Sequence, residues 1–154
     1  MNLTYYKLVN TPKDIFLLSE FLRETDNTFR IPLSAKSDIV EYATKLLAKG
    51  HVIAFRDNNG RIISCRGFYA NDTEKFIAYG SMMCSLPEAQ GHGLAKKLVA
   101  KMFEICKELG MKSVISRSVN PIAIHLYRSM GYQEINRNII NGIEEVTFRY
   151  QIQK

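Results

Sequence analysis

Between Phe76 and Val119 the chain reads FIAYGSMMCSLPEAQGHGLAKKLVAKMFEICKELGMKSVISRSV. Phe76 to Leu86 is strand-like, Gly93 to Leu109 places Leu94, Leu98, Met102, Ile105 and Leu109 on one helical face, and Ser113 to Val119 is strand-like again. A strand, helix and strand in close succession form a crossover unit, which predicts that the two strands run parallel. Gly80, inside the first of these strands, predicts a bulge or a close backbone approach.

Working outward, the rest of the chain adds antiparallel material. Tyr5 to Val9 is a first strand, and Thr11-Pro12-Lys13-Asp14 opens a helix with Thr11 as cap, Pro12 at the first position and Asp14 reaching back. A second helix carries Ile39, Ala43, Leu46 and Leu47 on one face and stops at Gly50. His51 to Arg56 and Arg61 to Tyr69 form a hairpin across Asp57-Asn58-Asn59-Gly60, and two final strands turn at Asn141-Gly142. Pro121 to Met130, capped by Asn120 and ended by Gly131, is a short helix. The expected fold is α/β of the α+β type. It has a mixed, mostly antiparallel sheet of six to seven strands, flanked by about four helices, in a single domain over residues 1–154.

Composition excludes several classes. With 154 residues and 46% hydrophobic content the chain can bury a core without disulfides or a metal. It lacks an apolar run long enough to span a bilayer or to serve as a secretory signal. Three scattered cysteines, Cys65, Cys84 and Cys106, fit reduced thiols and predict a cytoplasmic protein. The net charge of +6 is concentrated: residues 89–130 hold seven basic and two acidic residues, hence +5 of the total. That placement suits a local phosphorylated ligand better than a nucleic acid, for which no reading motif is present.

The chemistry concentrates in two stretches. Gln90-Gly91-His92-Gly93-Leu94-Ala95-Lys96 lies between strand and helix, where glycines can leave free N–H groups at a helix N-terminus to hold an anion. The stretch fits neither the nucleotide P-loop nor the dinucleotide fingerprint. Downstream, Asn120-Pro121-Ile122-Ala123-Ile124-His125-Leu126-Tyr127-Arg128-Ser129-Met130-Gly131-Tyr132 puts Ala123, Leu126, Tyr127 and Met130 on one face.

Together the two stretches resemble the GNAT superfamily of acyl-CoA-dependent N-acyltransferases. The first matches its Gln/Arg-x-x-Gly-x-Gly/Ala pyrophosphate loop, and the second its Asn-x-x-Ala-x-x-x-Tyr motif, at the family's separation. The resemblance implies splayed fourth and fifth strands, and acetyl-CoA as co-substrate with no metal. It implies that the loop backbone from Gln90 to Lys96 holds the coenzyme A pyrophosphate, that main-chain groups of Met83, Cys84 and Ser85 bond the pantetheine, that Asn120 lines the slot, and that Tyr127 is the general acid. The implied reaction is direct attack by a primary amine of a small molecule on the thioester, in a monomer or homodimer that needs neither membrane nor nucleic acid. Protein amines, amino sugars and a silent acyl-CoA sensor are the alternatives.

The acceptor side is less specified. Phe29, Arg30, Tyr79 and Arg117 are candidate substrate contacts, with Arg66 and Tyr69 as neighbours. The fourth and fifth strands carry no acidic residue. Proton removal therefore falls to a relay through Ser116, Ser118 or Tyr79, or to an amine that arrives neutral. His125 lies off the Tyr127 face and is expected to be exposed. Cys84 reads as a small apolar strand residue rather than an acyl acceptor.

Overall fold

The computed structural model describes residues 2–29 and 31–153. Its elements are β1 (Thr4–Lys7), α1 (Pro12–Thr25), α2 (Ile39–Lys49), β2 (His51–Arg56), β3 (Ile62–Tyr69), β4 (Ile77–Ser85), α3 (Leu94–Glu108), β5 (Ser113–Ser118), α4 (Pro121–Ser129), β6 (Gln133–Ile140) and β7 (Ile143–Gln151). The strands form one seven-stranded sheet in the order β1-β2-β3-β4-β5-β7-β6. Among the described residues only β4 and β5 are parallel neighbours; the other pairs are antiparallel. Short 3-10 turns at Asp26–Thr28, Leu33–Ala35 and Pro87–Ala89, not foreseen from periodicity, occupy the loops.

Helix starts follow the capping chemistry, with one difference. Thr11 Oγ1 accepts the Asp14 N–H at 3.3 Å, Asp38 accepts from Glu41 at 2.9 Å, and Asn120 accepts from Ile122 at 2.9 Å. The Asp14 carboxylate does not reach back to the cap residue. It accepts the Val9 N–H and the Tyr6 hydroxyl, each at 2.8 Å, and so ties α1 to the end of β1.

The period of two along each strand separates two apolar layers. Val52 and Ala54 of β2 and Ile63 and Cys65 of β3 pack with Leu18, Leu22 and Leu46 of α1 and α2. Ile53, Phe68, Ala78, Val114 and Phe148 pack on the opposite face with Leu98, Met102 and Tyr127 of α3 and α4.

The sheet opens at its centre. β4 and β5 pair only at Ile77 with Ser113, Ala78 with Val114 and Tyr79 with Ile115, and then part. On its other edge β4 carries one extra residue: Phe68 faces Gly80 and Gly67 faces Met82, so Ser81 is a bulge. The Ser81 and Tyr42 hydroxyls lie 2.8 Å apart, which anchors the bulge to α2. Gly80 has a steric cause. A Cβ there would overlap Arg66 Nη2 and lie 2.5 Å from Ser116 Oγ.

Gly80→Ala therefore displaces a buried, hydrogen-bonded guanidinium. It is expected to lower unfolding stability by about 1–3 kcal/mol, the usual cost of overpacking, as read from urea denaturation. Wild-type stability would show that the guanidinium has room to move.

Candidate active site

A cleft of about 540 Å³ lies where β4 and β5 diverge, between the start of α3 and the flank of α4. One wall is β4 at Met83, Cys84 and Ser85, along the edge that β5 has left. The floor is the loop and first turn of α3, with Gln90, Gly91, Gly93, Leu94, Ala95 and Lys96. The opposite wall is Asn120 with Ala123 and Leu126 of α4, and Thr28 and Phe29 close it from the α1–α2 loop.

The loop's conformation requires its glycines. Gly91 and Gly93 have φ of +83° and +71°, in the left-handed region where a side chain adds strain. No side chain caps α3 after Gly93, and its first turn holds no acidic residue. The first N–H groups of a helix have no intrahelical partner, so this end favours an anion through its donors and dipole. Lys96 adds a positive charge to the lining. Leu94 is 5% exposed and belongs to the apolar core while it also borders the cleft. His92 is exposed and is not among the lining residues.

The other expected site residues are distributed differently. Tyr127 is not part of the lining. It is 2% exposed, and its hydroxyl oxygen accepts Arg66 Nη1–H at 3.0 Å. Tyr79, at the last paired position of β4, is 39% exposed, and Arg117 is exposed on β5; neither lines the cleft. Arg30 lies outside the described residues. His125, expected to be exposed, is so, and it also rims the cleft.

No carboxylate lines the cleft among the described residues. Two of the three relay hydroxyls are engaged, since Ser116 Oγ accepts from Arg66 at 2.9 Å and Ser118 Oγ accepts the Asn120 N–H at 3.0 Å, and the third, Tyr79, lies outside the lining. Arg128 is not part of the lining and pairs with Glu134 at 3.0 Å; among the described residues Lys96 is the lysine or arginine of the lining. Arg66 is the residue whose importance periodicity did not reveal. A lone charge in the otherwise uncharged run from Ile62 to Tyr69, on the strand next to a strand-interior glycine, was the available signal.

The model of the acetyltransferase (GNAT) family matches residues 18–132. The chain belongs to the GNAT acetyltransferase family. No curated protein sequence matches it. Among solved structures, it is similar to a ribosomal-protein alanine N-acetyltransferase from Escherichia coli, with TM-score 0.79 and 14% identity over 99% of this chain and 96% of that one. A GNAT-superfamily phosphinothricin acetyltransferase from Sinorhizobium meliloti, in complex with AcCoA, gives TM-score 0.75 and 20% identity over 99% and 89%. A GNAT-family acetyltransferase from Staphylococcus aureus gives 0.76 and 15% over 97% and 100%. At these identities the likeness is one of fold: the mixed sheet with one parallel pair is the GNAT sheet.

Cys84 tests the electrostatics of this GNAT cleft directly. Burial raises its thiol above the ordinary cysteine value, and the Thr28 hydroxyl 3.2 Å away offsets only part of that. The thiolate is the reactive form, so Cys84 is expected to alkylate more slowly than free cysteine at neutral pH. Its rate should climb about tenfold per pH unit while the thiolate fraction is small. Mass spectrometry of iodoacetamide-treated protein checks this; alkylation as fast as free cysteine would contradict it.

Proposed function

We propose that this chain moves the acetyl group of acetyl-CoA to a primary amine of a small molecule by direct attack on the thioester. The observation that carries the reading is the uncapped, glycine-framed N-terminus of α3 opening into the same cleft as the unpaired edge of β4. Bound acetyl-CoA would supply an activated acyl carbon. The residues fit such a ligand: backbone donors and Lys96 suit a pyrophosphate, while a strand edge at Met83, Cys84 and Ser85 suits the amides of an extended arm. The raised Cys84 thiol favours direct transfer over an acyl-cysteine.

The amine must be neutral to attack, and an alkyl ammonium has a pKa near ~10. With no carboxylate in the lining among the described residues, deprotonation falls to solvent. Turnover at subsaturating amine is therefore expected to rise about tenfold per pH unit below the amine's own pKa and to level off above it. A plateau near pH 6 with an alkylamine would reveal a base in the chain. The free thiols of Cys65, Cys84 and Cys106 suit a reducing cytoplasm. Among the described residues no helix is long and apolar enough to cross a membrane.

The first experiment is thermal denaturation with acetyl-CoA, CoA and a DNA oligomer. Coenzyme at ~100 times its Kd should add about 2.7 kcal/mol of apparent stability, and DNA none. Absence of any coenzyme effect would overturn the reading. Gly93→Val, strained at its φ and bulky at the loop, is expected to remove the coenzyme effect. Thiol release with alkylamines, amino acids, amino sugars and peptides then separates the acceptor classes. Binding without release would favour an acyl-CoA sensor.

A further inference from the structure

Arg66 is 1% exposed, and among the described residues no carboxylate pairs with it. Its guanidinium donates to the Tyr127 hydroxyl at 3.0 Å, to Ser116 Oγ at 2.9 Å and to Met102 Sδ at 3.4 Å, all neutral partners. Burial opposes the charge, the Tyr127 and Tyr132 phenols favour it, and the net direction is upward, so the group stays cationic. A buried ion without a counterion is costly, and an apolar residue of similar volume is often as stable or more so. Packing alone therefore gives no reason to keep an arginine here.

Its position does. Nη2 sits against Gly80 and Ser116, the first residues of β4 and β5 beyond their last paired positions, Tyr79 and Ile115. The guanidinium thus occupies the apex of the fork. At a strand rise of about 3.3 Å per residue, Met83 on the cleft wall lies about 10 Å further out. An arginine offers donors and no acceptor. The Tyr127 oxygen must therefore spend a lone pair on Nη1, and its own proton turns elsewhere. Among the described residues no acceptor takes that proton.

We propose that Arg66 is a positioning residue: it presents the Tyr127 hydroxyl as a proton donor at the apex of the fork and steadies its oxygen once the proton has left. The proposal rests on the acetyl-CoA reading of the cleft. In the step it serves, the amine nitrogen bonds to the acyl carbon and the C–S bond breaks with its electron pair on sulfur. Tyr127 gives its proton to that sulfur. The proton shed by nitrogen returns to Tyr127 through solvent, while Arg66 Nη1–H holds the phenolate oxygen.

The test uses Arg66→Met, Arg66→Lys, Tyr127→Phe and the Met/Phe double variant. Each is assayed for acetyl-CoA affinity, unfolding midpoint and amine-dependent thiol release. Arg66→Met is expected to fold with an unchanged or higher midpoint, to bind acetyl-CoA as wild type does, and to lose about 100-fold in kcat at unchanged coenzyme KM, the lower end of general-acid effects. Arg66→Lys should recover part of that loss. The double variant should be no slower than Tyr127→Phe alone, because two residues acting as one unit do not add. In protein isotope-labelled at tyrosine Cζ, the NMR resonance that Tyr127→Phe removes should move in Arg66→Met, and should move in wild type on adding CoA. Should Arg66→Met not fold, Arg66→Gln replaces it as the neutral variant under the same criteria.

A kcat within twofold of wild type, full additivity in the double variant, or a Tyr127 resonance indifferent to CoA would each overturn the assignment. So would a wild-type chain that binds acetyl-CoA and releases no thiol, since it needs no acid. A wild-type chain that does not bind acetyl-CoA would overturn the coenzyme reading itself. That outcome is separate, because affinity is measured before turnover.

Discussion

The early parting of β4 and β5 is the constraint on which the rest of this molecule depends. Two parallel strands that paired along their whole length would close the sheet and leave no cleft. Here pairing stops after Tyr79 and Ile115, and two neighbouring features keep it stopped. The Ser81 bulge bends β4 on its β3 side, where Tyr42 of α2 holds it. On the other face, the Arg66 guanidinium fills the space that a side chain at position 80 would need. The opening is thus built into the sheet, and the start of α3 and the flank of α4 only have to line it.

The electrostatics of the opening are one-sided. Lys96 and the N-terminus of α3 make its outer end receptive to anions, while Arg66 puts a second positive charge at the inner end. Carboxylates occur elsewhere, where they fasten structure. Asp14 ties β1 to α1, Glu24 and Glu88 flank Arg61, and Glu134 sits between Arg128 and Arg137. The latter pairs are largely exposed and contribute little individually. Their absence from the cleft shapes its chemistry more than their presence elsewhere shapes stability. Among the described residues an ammonium finds no counterion in the lining, and a neutral amine meets no such barrier.

Much of this was legible in the chain. The caps at Thr11 and Asn120, the stop at Gly50 and the apolar face of α3 are local signals, because each depends on residues within one or two turns. The loop from Gln90 to Lys96 was legible for the same reason: glycines before an uncapped helix mean free donors whatever surrounds them. Less legible were the places where distant residues share space. Asp14 was read as a partner of its own cap, but the nearby end of β1 offered its carboxylate two better donors. The resemblance marks Tyr127 as the general acid, but nothing local shows that its hydroxyl accepts from Arg66, a residue 61 positions away in the chain. Arg66 itself stands in the sequence only as a neighbour of the candidate substrate contacts.

The sequence by itself determined the order of elements, the parallel crossover, the anion-receptive loop and the concentration of positive charge around it. Periodicity, capping and glycine conformation act over a few residues, so they can be read without knowing the fold. Only the tertiary structure decided that Gly80 is a glycine because Arg66 crosses β4 there. It also decided that Ser81 is the bulged residue, and that the phenol of Tyr127 is held by a cation rather than standing free. Each of these depends on strand register and on which side chains reach across it, and a shift of one residue in the β3–β4 pairing would have changed all three.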